Sequence, residues 1–330
     1  DATGANFKLS NFTDATLQNA IFDLADLSGL ILTDTTPLDP TNATSSSFRG
    51  ANLSNLGVED VNFTGANFSP FVAANGTVTF TVLSGARFAD INASGTNFQG
   101  ANLSSFLAED VNFAGVNFSP FVAANGTVTV TDLSGALLND SNVSGANFTQ
   151  ANAAGASING LAVGANFTGA NLVNANFSNG NFSSAIFIGA DLTGAIAVDA
   201  IGLYIGDANN NVLNSSGDIS PNDNLFGNEG NDTLSGGGGN DYLDGGAGSD
   251  RMNGGGGNDT YVYTAGDLII ENANAGNDTV RSTVNNYTLG ANLENLLLLD
   301  NVLTGTGNAL ANTITGNNAN NTLDGGAGND

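Results

Sequence analysis

Large apolar residues recur at every fifth position from the start of the chain: Phe7, Phe12, Leu17, Phe22, Leu27 and Leu32, with Ala5, Ala15, Ala20 and Ala25 two places ahead of their partners. The pattern returns as Phe48, Leu53, Val58, Phe63 and Phe68, then as Leu83, Phe88, Ala93, Phe98 and Leu103, and again after Leu133. Its last clean run is Phe167, Leu172, Phe177, Phe182, Phe187 and Leu192, flanked by Ala165, Ala170, Ala175, Ala185 and Ala190. A period of five is neither the 3.6 of a helix nor the 2 of a flat strand. It fits the five-residue side of a square coil, with one large and one small side chain pointing inward and Asn, Asp, Ser, Thr and Gly outside.

Units such as GANFTGANL (164–172) resemble the pentapeptide-repeat family, whose consensus is A(D/N)LxX. The resemblance covers most of residues 1–200. It implies a right-handed quadrilateral β-helix with four pentapeptides per coil, so that stacked Phe and Ala rows form the core and contacts stay close in sequence. Three stretches interrupt the period. Thr33–Ser47, with Pro37 and Pro40, is an irregular excursion. Ser69–Phe80 and Ser119–Val130 are near-identical copies, SPFVAANGTVTF and SPFVAANGTVTV. In each, Asn-Gly between β-rich runs predicts a two-residue hairpin turn, with Ala73 facing Val78 and Val72 facing Thr79. The copies lie 50 residues apart. If each hairpin adds ten residues, they are separated by two full coils and project from the same face. The Asn-x-Ser/Thr triplets, such as those at Asn11 and Asn62, arise from the repeat itself, and outward Asn rows are expected to hydrogen-bond between coils.

A second period takes over at Gly227. Four nonapeptides run to Val262: GNEGNDTLS, GGGGNDYLD, GGAGSDRMN and GGGGNDTYV. The sixth residue of each is Asp (Asp232, Asp241, Asp250, Asp259), and two places later stands Leu234, Leu243, Met252 or Tyr261. Glycine lets carbonyls converge where a side chain would obstruct them. Carboxylate and carbonyl oxygens together suit calcium, and the last three residues read as a short strand with one inward apolar side chain. A flexible linker would need no apolar residue at this regular spacing.

These nonapeptides resemble GGxGxDxUx, the repeat of the RTX calcium-binding proteins. The resemblance implies a parallel β-roll with two nonapeptides per turn and Ca2+ between stacked loops. Asp232 would then share an ion with Asp250, and Asp241 with Asp259. Carbonyls of Gly227, Gly230, Gly236, Gly239, Gly245, Gly248, Gly254 and Gly257 complete the ligand set. Asp278, in a partial motif at 274–281, and Asp330, where 325–330 restores the motif, are further candidates. Asn312 and Asn321 stand where Asp is expected, and the neutral ligand predicts weak calcium binding or none. The expected fold class is therefore all-β, two β-solenoids in series: residues 1–200 as the pentapeptide β-helix with hairpin insertions at 69–80 and 119–130, 201–226 as a junction, and 227–330 as the roll with an inserted segment at 263–306.

Composition narrows the function. The chain of 330 residues has no Cys, His or Trp, one Lys and a formal net charge of −26. Residues 1–200 carry a net −12 and residues 201–330 a net −14, so the second part is more acidic per residue. Such charge repels a phosphate backbone, and no nucleic-acid partner is expected. No segment reaches the ~18 apolar residues a membrane span requires. Ser-His-Asp and Cys-His sites and His- or Cys-based zinc sites are excluded by the missing side chains. Paired carboxylates could still hydrolyse glycosides. The best such cluster, Glu59-Asp60 with its duplicate Glu109-Asp110, reads instead as solvated surface acids.

The resulting expectation is a non-enzymatic, calcium-stabilised structural protein at the cell surface or beyond it, with type I secretion implied by the RTX resemblance. In a low-calcium cytosol the Asp-rich loops would stay disordered, and extracellular calcium would fold them. Asp1 enters the five-residue period at once and Asp330 leaves in mid-repeat. Both ends therefore read as uncapped, which predicts head-to-tail self-association into a filament, sheath or surface layer, with lateral contacts through 69–80 and 119–130. The alternatives are a monomeric exported adhesin or matrix-binding protein, with a cell-surface polysaccharide as candidate partner, a DNA-mimic inhibitor, and a fragment of a polysaccharide-modifying enzyme.

Overall fold

The computed structural model describes residues 1–33, 41–217 and 222–330, which are all-β and form two compact units, Asp1–Ala200 and Ile201–Asp330. Residues 34–40 of the expected excursion, with Pro37 and Pro40, lie outside the described residues, whereas its remainder is regular coil: Thr41–Asn42 pairs with Val61–Asn62, and Ser47 with Ile21 and Asn67.

The first unit is a β-solenoid whose coils pair in parallel at a spacing of twenty residues, as in Asn6 with Asp26 and Asn97 with Asn117. From Phe22 onward most sides of the coil bury an Ala and a Phe or Leu, whereas Ala5, Phe7, Phe12, Ala15 and Leu17 are half-buried, and a residue with positive φ turns the corner. Gly usually fills that role, but Asn and Asp tolerate it, and Asp60 and Asp110 turn corners at φ 54°. The Asn side chain before a corner accepts the N–H two residues on, as from Thr13 to Asn11 at 2.9 Å and from Thr149 to Asn147 at 3.0 Å. The Asn rows thus close their own turns first. Bonds between coils, such as Asn112 Nδ2 to Asn92 Oδ1 at 3.1 Å, come from the remaining amide protons.

Departures from twenty are local. One coil has nineteen residues, pairing Asn142 with Leu161. Gly160 allows the shortcut, because a Cβ there would overlap the Ser141 backbone. Coils carrying a hairpin pair at thirty residues, as in Asn52 with Val82 and Asn67 with Asn97. Inside the solenoid, Phe22, Phe48, Phe68, Phe98, Phe118, Phe148, Phe167 and Phe187 form one continuous column of stacked rings. From Phe48 onward their centroids are 4.7 to 5.4 Å apart and their planes within 24° of parallel.

The hairpins differ by one residue from the expected register. Val72 faces Val78 and Phe71 faces Thr79, with Val122–Val128 and Phe121–Thr129 in the second copy. Gly76 N–H bonds to Ala73 O, and Gly76 and Gly126 both stand at φ 83°. This is a three-residue loop, a turn followed by a left-handed glycine, which shifts the pairing by one place relative to a two-residue turn. At the hairpin bases, buried Thr81 donates to Ser69 O and accepts the Gly50 N–H at 2.8 Å. Thr131 does the same with Ser119 O and Gly100. Both hairpins leave the column Asn67–Asn97–Asn117, two coils apart on one side.

The second unit is a parallel solenoid with two strands per turn. A seven-stranded sheet contains Leu203–Ile205, Asn224–Phe226, Tyr242–Asp244, Thr260–Tyr263, Thr279–Ser282, Asn295–Leu298 and Thr313–Thr315. A four-stranded sheet contains Val212–Asn214, Thr233–Gly238, Arg251–Gly256 and Leu268–Ile269, and a three-stranded one Tyr287–Thr288, Thr304–Thr306 and Thr322–Asp324. Register advances by 18 residues through the nonapeptides, setting Leu225 against Leu243, Leu243 against Tyr261, and Leu234 against Met252. These side chains are buried and join Val280, Leu296 and others in a narrow hydrophobic core.

The described residues of 201–226, expected as a junction, instead start this solenoid: Leu203 pairs with Asn224, and Asn224 with Tyr242. Stacking requires an inward apolar residue at the right distance, which Leu225 supplies 18 places before Leu243; it does not require the glycines that made the motif visible. The segment 263–306 keeps the column through Val280 and Leu296 while its loops vary in length.

Candidate metal centre

Two columns of polar side chains run along the second unit, set by the parallel pairing that aligns the strands, at 18 residues within the nonapeptides and at 16 to 21 outside them. In one, Asn211 N–H bonds to Asp232 Oδ1 at 2.7 Å, Asp232 N–H to Asp250 Oδ1 at 2.8 Å, and Asp250 N–H to Asp267 Oδ1 at 3.1 Å. In the other, Asp223 N–H bonds to Asp241 Oδ1 at 2.9 Å, Asp241 N–H to Asp259 Oδ1 at 2.9 Å, Asp259 N–H to Asp278 Oδ1 at 2.8 Å, and Asp278 N–H to Glu294 Oε2 at 2.9 Å. Asp232 therefore stacks on Asp250 and Asp241 on Asp259, and Asp278 continues the second column. Asp330 accepts the Asn312 N–H at 2.9 Å in the equivalent way.

Those bonds use one oxygen of each carboxylate. Asp232, Asp241, Asp250 and Asp259 are each at most 2% exposed. The second oxygens of Asp232, Asp250, Asp259 and Asp278 are buried with no hydrogen-bond partner. A buried carboxylate left without a counter-charge is costly. Burial accordingly pushes the Asp250 carboxyl up to about 6 and that of Asp259 up to about 7, with neighbouring carboxylates adding to the rise, and it raises Asp232 and Asp278 as well.

The first glycine of each repeat forms the floor under these oxygens. A Cβ on Gly227, Gly236, Gly245 or Gly254 would overlap Oδ2 of Asp232, Asp241, Asp250 or Asp259 respectively. Over Gly227 the Gly245 carbonyl oxygen converges on the same space at 2.5 Å from where that Cβ would lie. The fourth glycines serve coil-to-coil approach: a Cβ on Gly248 would overlap Gly230 O, and one on Gly257 would overlap Gly239 O, while Gly230 and Gly239 hold φ 118° and 115°.

The Asn-containing turns provide an internal contrast. Asn321 accepts the Asn317 N–H at 2.9 Å and donates to Val302 O at 2.9 Å. Asn312 accepts from Asn308 at 2.7 Å and donates to the carbonyls of Leu293 and Glu294, each at 3.2 Å. An amide supplies the donors that close the turn, whereas a carboxylate supplies none. The Asp turns thus present a buried anionic oxygen and carbonyls without the donor that neutralises them, which fits Ca2+. Asp232, Asp241, Asp250 and Asp259, with glycine carbonyls such as that of Gly245, would hold it. Calcium, when bound, would supply the positive charge that these carboxylates lack.

The sequence motif missed Asp223, Asp267, Glu271 and Glu294. Asp223 was detectable from its 18-residue distance to Asp241. Asp267, Glu271 and Glu294 lie in the inserted segment, where variable loop lengths erase the period. Among the surface acids, Glu109 pairs with Arg87 at 3.1 Å and Asp110 turns a corner, an arrangement that serves the coil.

A pH effect follows for the calcium-free protein. In the unfolded chain Asp titrates near ~3.9, whereas in the folded roll Asp250 and the partly buried Asp244 titrate at about 6 and Asp259 at about 7. Between those values the folded state binds more protons, so its stability falls as pH rises. The contribution is complete below the unfolded value and lost above the folded ones. In chelator, the second unit is expected to be more folded at pH 5 than at pH 7.5, read by circular dichroism; equal folded fractions would contradict the burial argument. With calcium the order reverses, because the ligands must be deprotonated.

Comparison with known proteins agrees with this division of the chain. The family model for RTX calcium-binding nonapeptide repeats matches residues 226–261 and 306–330, and that for pentapeptide repeats matches 1–29, 78–106, 131–161 and 163–196. The chain thus joins pentapeptide repeats to RTX calcium-binding nonapeptide repeats in one all-β solenoid protein. Similar solved structures include HetL, a pentapeptide repeat protein involved in heterocyst differentiation regulation from the cyanobacterium Nostoc sp. strain PCC 7120, at 22% identity over 59% of this chain and 90% of HetL, with a TM-score of 0.20. They also include a trypsin-treated variant of QnrB1, a plasmid-mediated fluoroquinolone resistance protein, at 18% identity over 59% of this chain and 83% of QnrB1, with a TM-score of 0.29. A third is the pentapeptide repeat protein Rfr23 from the cyanobacterium Cyanothece 51142, at 14% identity over 60% of this chain and 88% of Rfr23, with a TM-score of 0.16. No curated protein matches the chain.

Proposed function

We propose that this is a secreted, non-enzymatic structural protein whose second unit is held together by calcium and whose first unit mediates self-association in an extracellular layer, sheath or filament. The observation that carries the reading is the pair of buried carboxylate columns, whose second oxygens at Asp232, Asp250, Asp259 and Asp278 have no hydrogen-bond partner. Such columns are stable where free calcium is at the ~10⁻⁴–10⁻³ M typical of extracellular modules and unstable where it is scarce. No helix among the described residues is long and apolar enough to cross a membrane.

Self-association is supported by the hairpins. Each is a sheet of only two strands, and the pair exposes Phe80, Val122, Val128 and Val130 on one side of the first unit. Two-stranded ribbons with apolar, β-branched edges favour pairing with another chain. At millimolar calcium the protein is expected to form oligomers in sedimentation and ordered assemblies in electron microscopy. Val122→Lys with Val128→Lys is expected to shift it to monomers without loss of circular dichroism. A parent protein that is monomeric at every calcium concentration would sink the assembly reading and leave the calcium reading standing.

A further inference from the structure

One cluster of acidic groups in the second unit is not formed by the repeats alone. Asp259, Glu271 and Asp278 each place a carboxylate oxygen within 4.8 Å of the others. Asp259 and Asp278 are 1% exposed, and the Oδ2 of each is buried without a hydrogen-bond partner. Their Oδ1 atoms are already used by the backbone N–H groups of Asp241 and Asp259. Two buried carboxylate oxygens that have no donor thus share one small space with a third carboxylate.

Glu271 arrives there through the strand register. Arg251 pairs with Leu268 and Met252 with Ile269, and Ile270 N–H continues the ladder to Met252 O at 2.9 Å. Two residues beyond Ile269, Glu271 stands opposite Gly254, the first glycine of its nonapeptide. In the preceding coils this row is glycine, Gly236 and Gly254, and contributes only backbone. Where the inserted segment departs from the motif, the row contributes a carboxylate. Tyr261 fixes its orientation: the phenol accepts the Gly254 N–H at 2.7 Å and donates to Glu271 Oε2 at 2.8 Å. Tyr261 is fully buried, so Glu271 is held against a rigid ring.

We propose that Asp259, Asp278 and Glu271 form a distinct calcium site, a three-carboxylate centre that seals the end of the uninterrupted nonapeptides and is completed by a residue outside the repeat motif. The proposal rests on the calcium reading of the repeats and adds to it one site of a different ligand set. Hard carboxylate oxygens select Ca2+ over softer metals. Three formal negative charges around one divalent ion favour tighter binding than a site of fewer carboxylates and neutral carbonyls. This site therefore fills first as calcium is added, at the boundary where the glycine loops stop.

Terbium, a luminescent calcium substitute, gives the test in the full-length chain. Tyr261 hydrogen-bonds to a ligand of the site, and the chain has no Trp, so the first equivalent of Tb3+ is expected to show tyrosine-sensitised emission that calcium displaces. Glu271→Gln is expected to weaken that first phase by about tenfold or more, which is at least ~1.4 kcal/mol, and to leave the later phases intact. Asp232→Asn, in the other column, is expected to spare the first phase and reduce a later one. If Glu271→Gln titrates as the parent does, in luminescence and in calorimetric calcium stoichiometry, the site is refuted while the repeat reading survives. If the parent binds neither ion, both readings fall. Should Glu271→Gln fail to fold by circular dichroism, Glu271→Asp, with its charge kept and its reach shortened, decides the matter: a weakened first phase supports the site and an unchanged one overturns it.

Discussion

Removing calcium is expected to unfold residues 201–330 while residues 1–200 remain folded. The second unit buries Asp232, Asp241, Asp250, Asp259 and Asp278 close together, and the second oxygen of at least four of them has no donor within the protein. Leaving a charged group buried and uncompensated costs roughly 3–5 kcal/mol, and a folded domain has only about 5–15 kcal/mol in total. Protonation relieves part of that cost at Asp250 and Asp259, but their carboxyls, at about 6 and about 7, are mostly ionised above neutral pH. The narrow core of Leu225, Leu234, Leu243, Met252, Tyr261 and their neighbours cannot offset several such groups at once. Hydrogen exchange in excess EGTA at pH 8 should show the amides of 224–298 exchanging freely and those of 83–192 still protected, with full recovery on adding calcium. Protection of both units in chelator would remove the metal from the account of stability.

The largest effect of a single substitution is expected in the first unit, at Phe118 or Phe148. Both are fully buried, and each stacks on a ring above and a ring below: Phe118 on Phe98 at 5.4 Å and on Phe148 at 4.8 Å, Phe148 on Phe167 at 4.7 Å. Phe→Ala in a packed core costs about 3–5 kcal/mol from lost burial and the cavity left behind. A solenoid makes that loss severe locally, because each coil is stabilised only by its two neighbours. Phe148→Ala should therefore lower the urea midpoint of the first unit strongly and leave calcium binding by the second unchanged. Val128→Ser, on the exposed hairpin, should change the stability by no more than about 0.5 kcal/mol. A loss below ~1 kcal/mol at Phe148 would mean that the ring column does not hold the coils together.

Much of this was legible because both repeats are dictated by local geometry. A five-residue side must present Ala and Phe or Leu inward each time, so the buried set from Phe22 to Leu192 follows from counting. Likewise the Asp of each nonapeptide and the apolar residue two places later occupy the same point on successive turns. The hairpin copies were visible, but Asn75-Gly76 allowed a two-residue turn as readily as the three-residue loop that formed. Thr81 and Thr131 tie the hairpin bases together through Ser69 O and Ser119 O and reach Phe48 O and Phe98 O of a neighbouring coil, contacts that counting along the chain does not show.

The amino-acid order by itself determined the two solenoids, their inward faces, the sides carrying the hairpins and the carboxylates of the nonapeptides, because each follows from residues separated by a fixed step along the chain. Only the tertiary structure decided that Leu203–Ile205 and Val212–Asn214 begin the second solenoid, that Asp267 and Glu294 extend the acidic columns, and that Glu271 meets Asp259 and Asp278. Those partners are neighbours across stacked coils whose loops differ in length, and parallel strand pairing, not distance along the chain, brings them together.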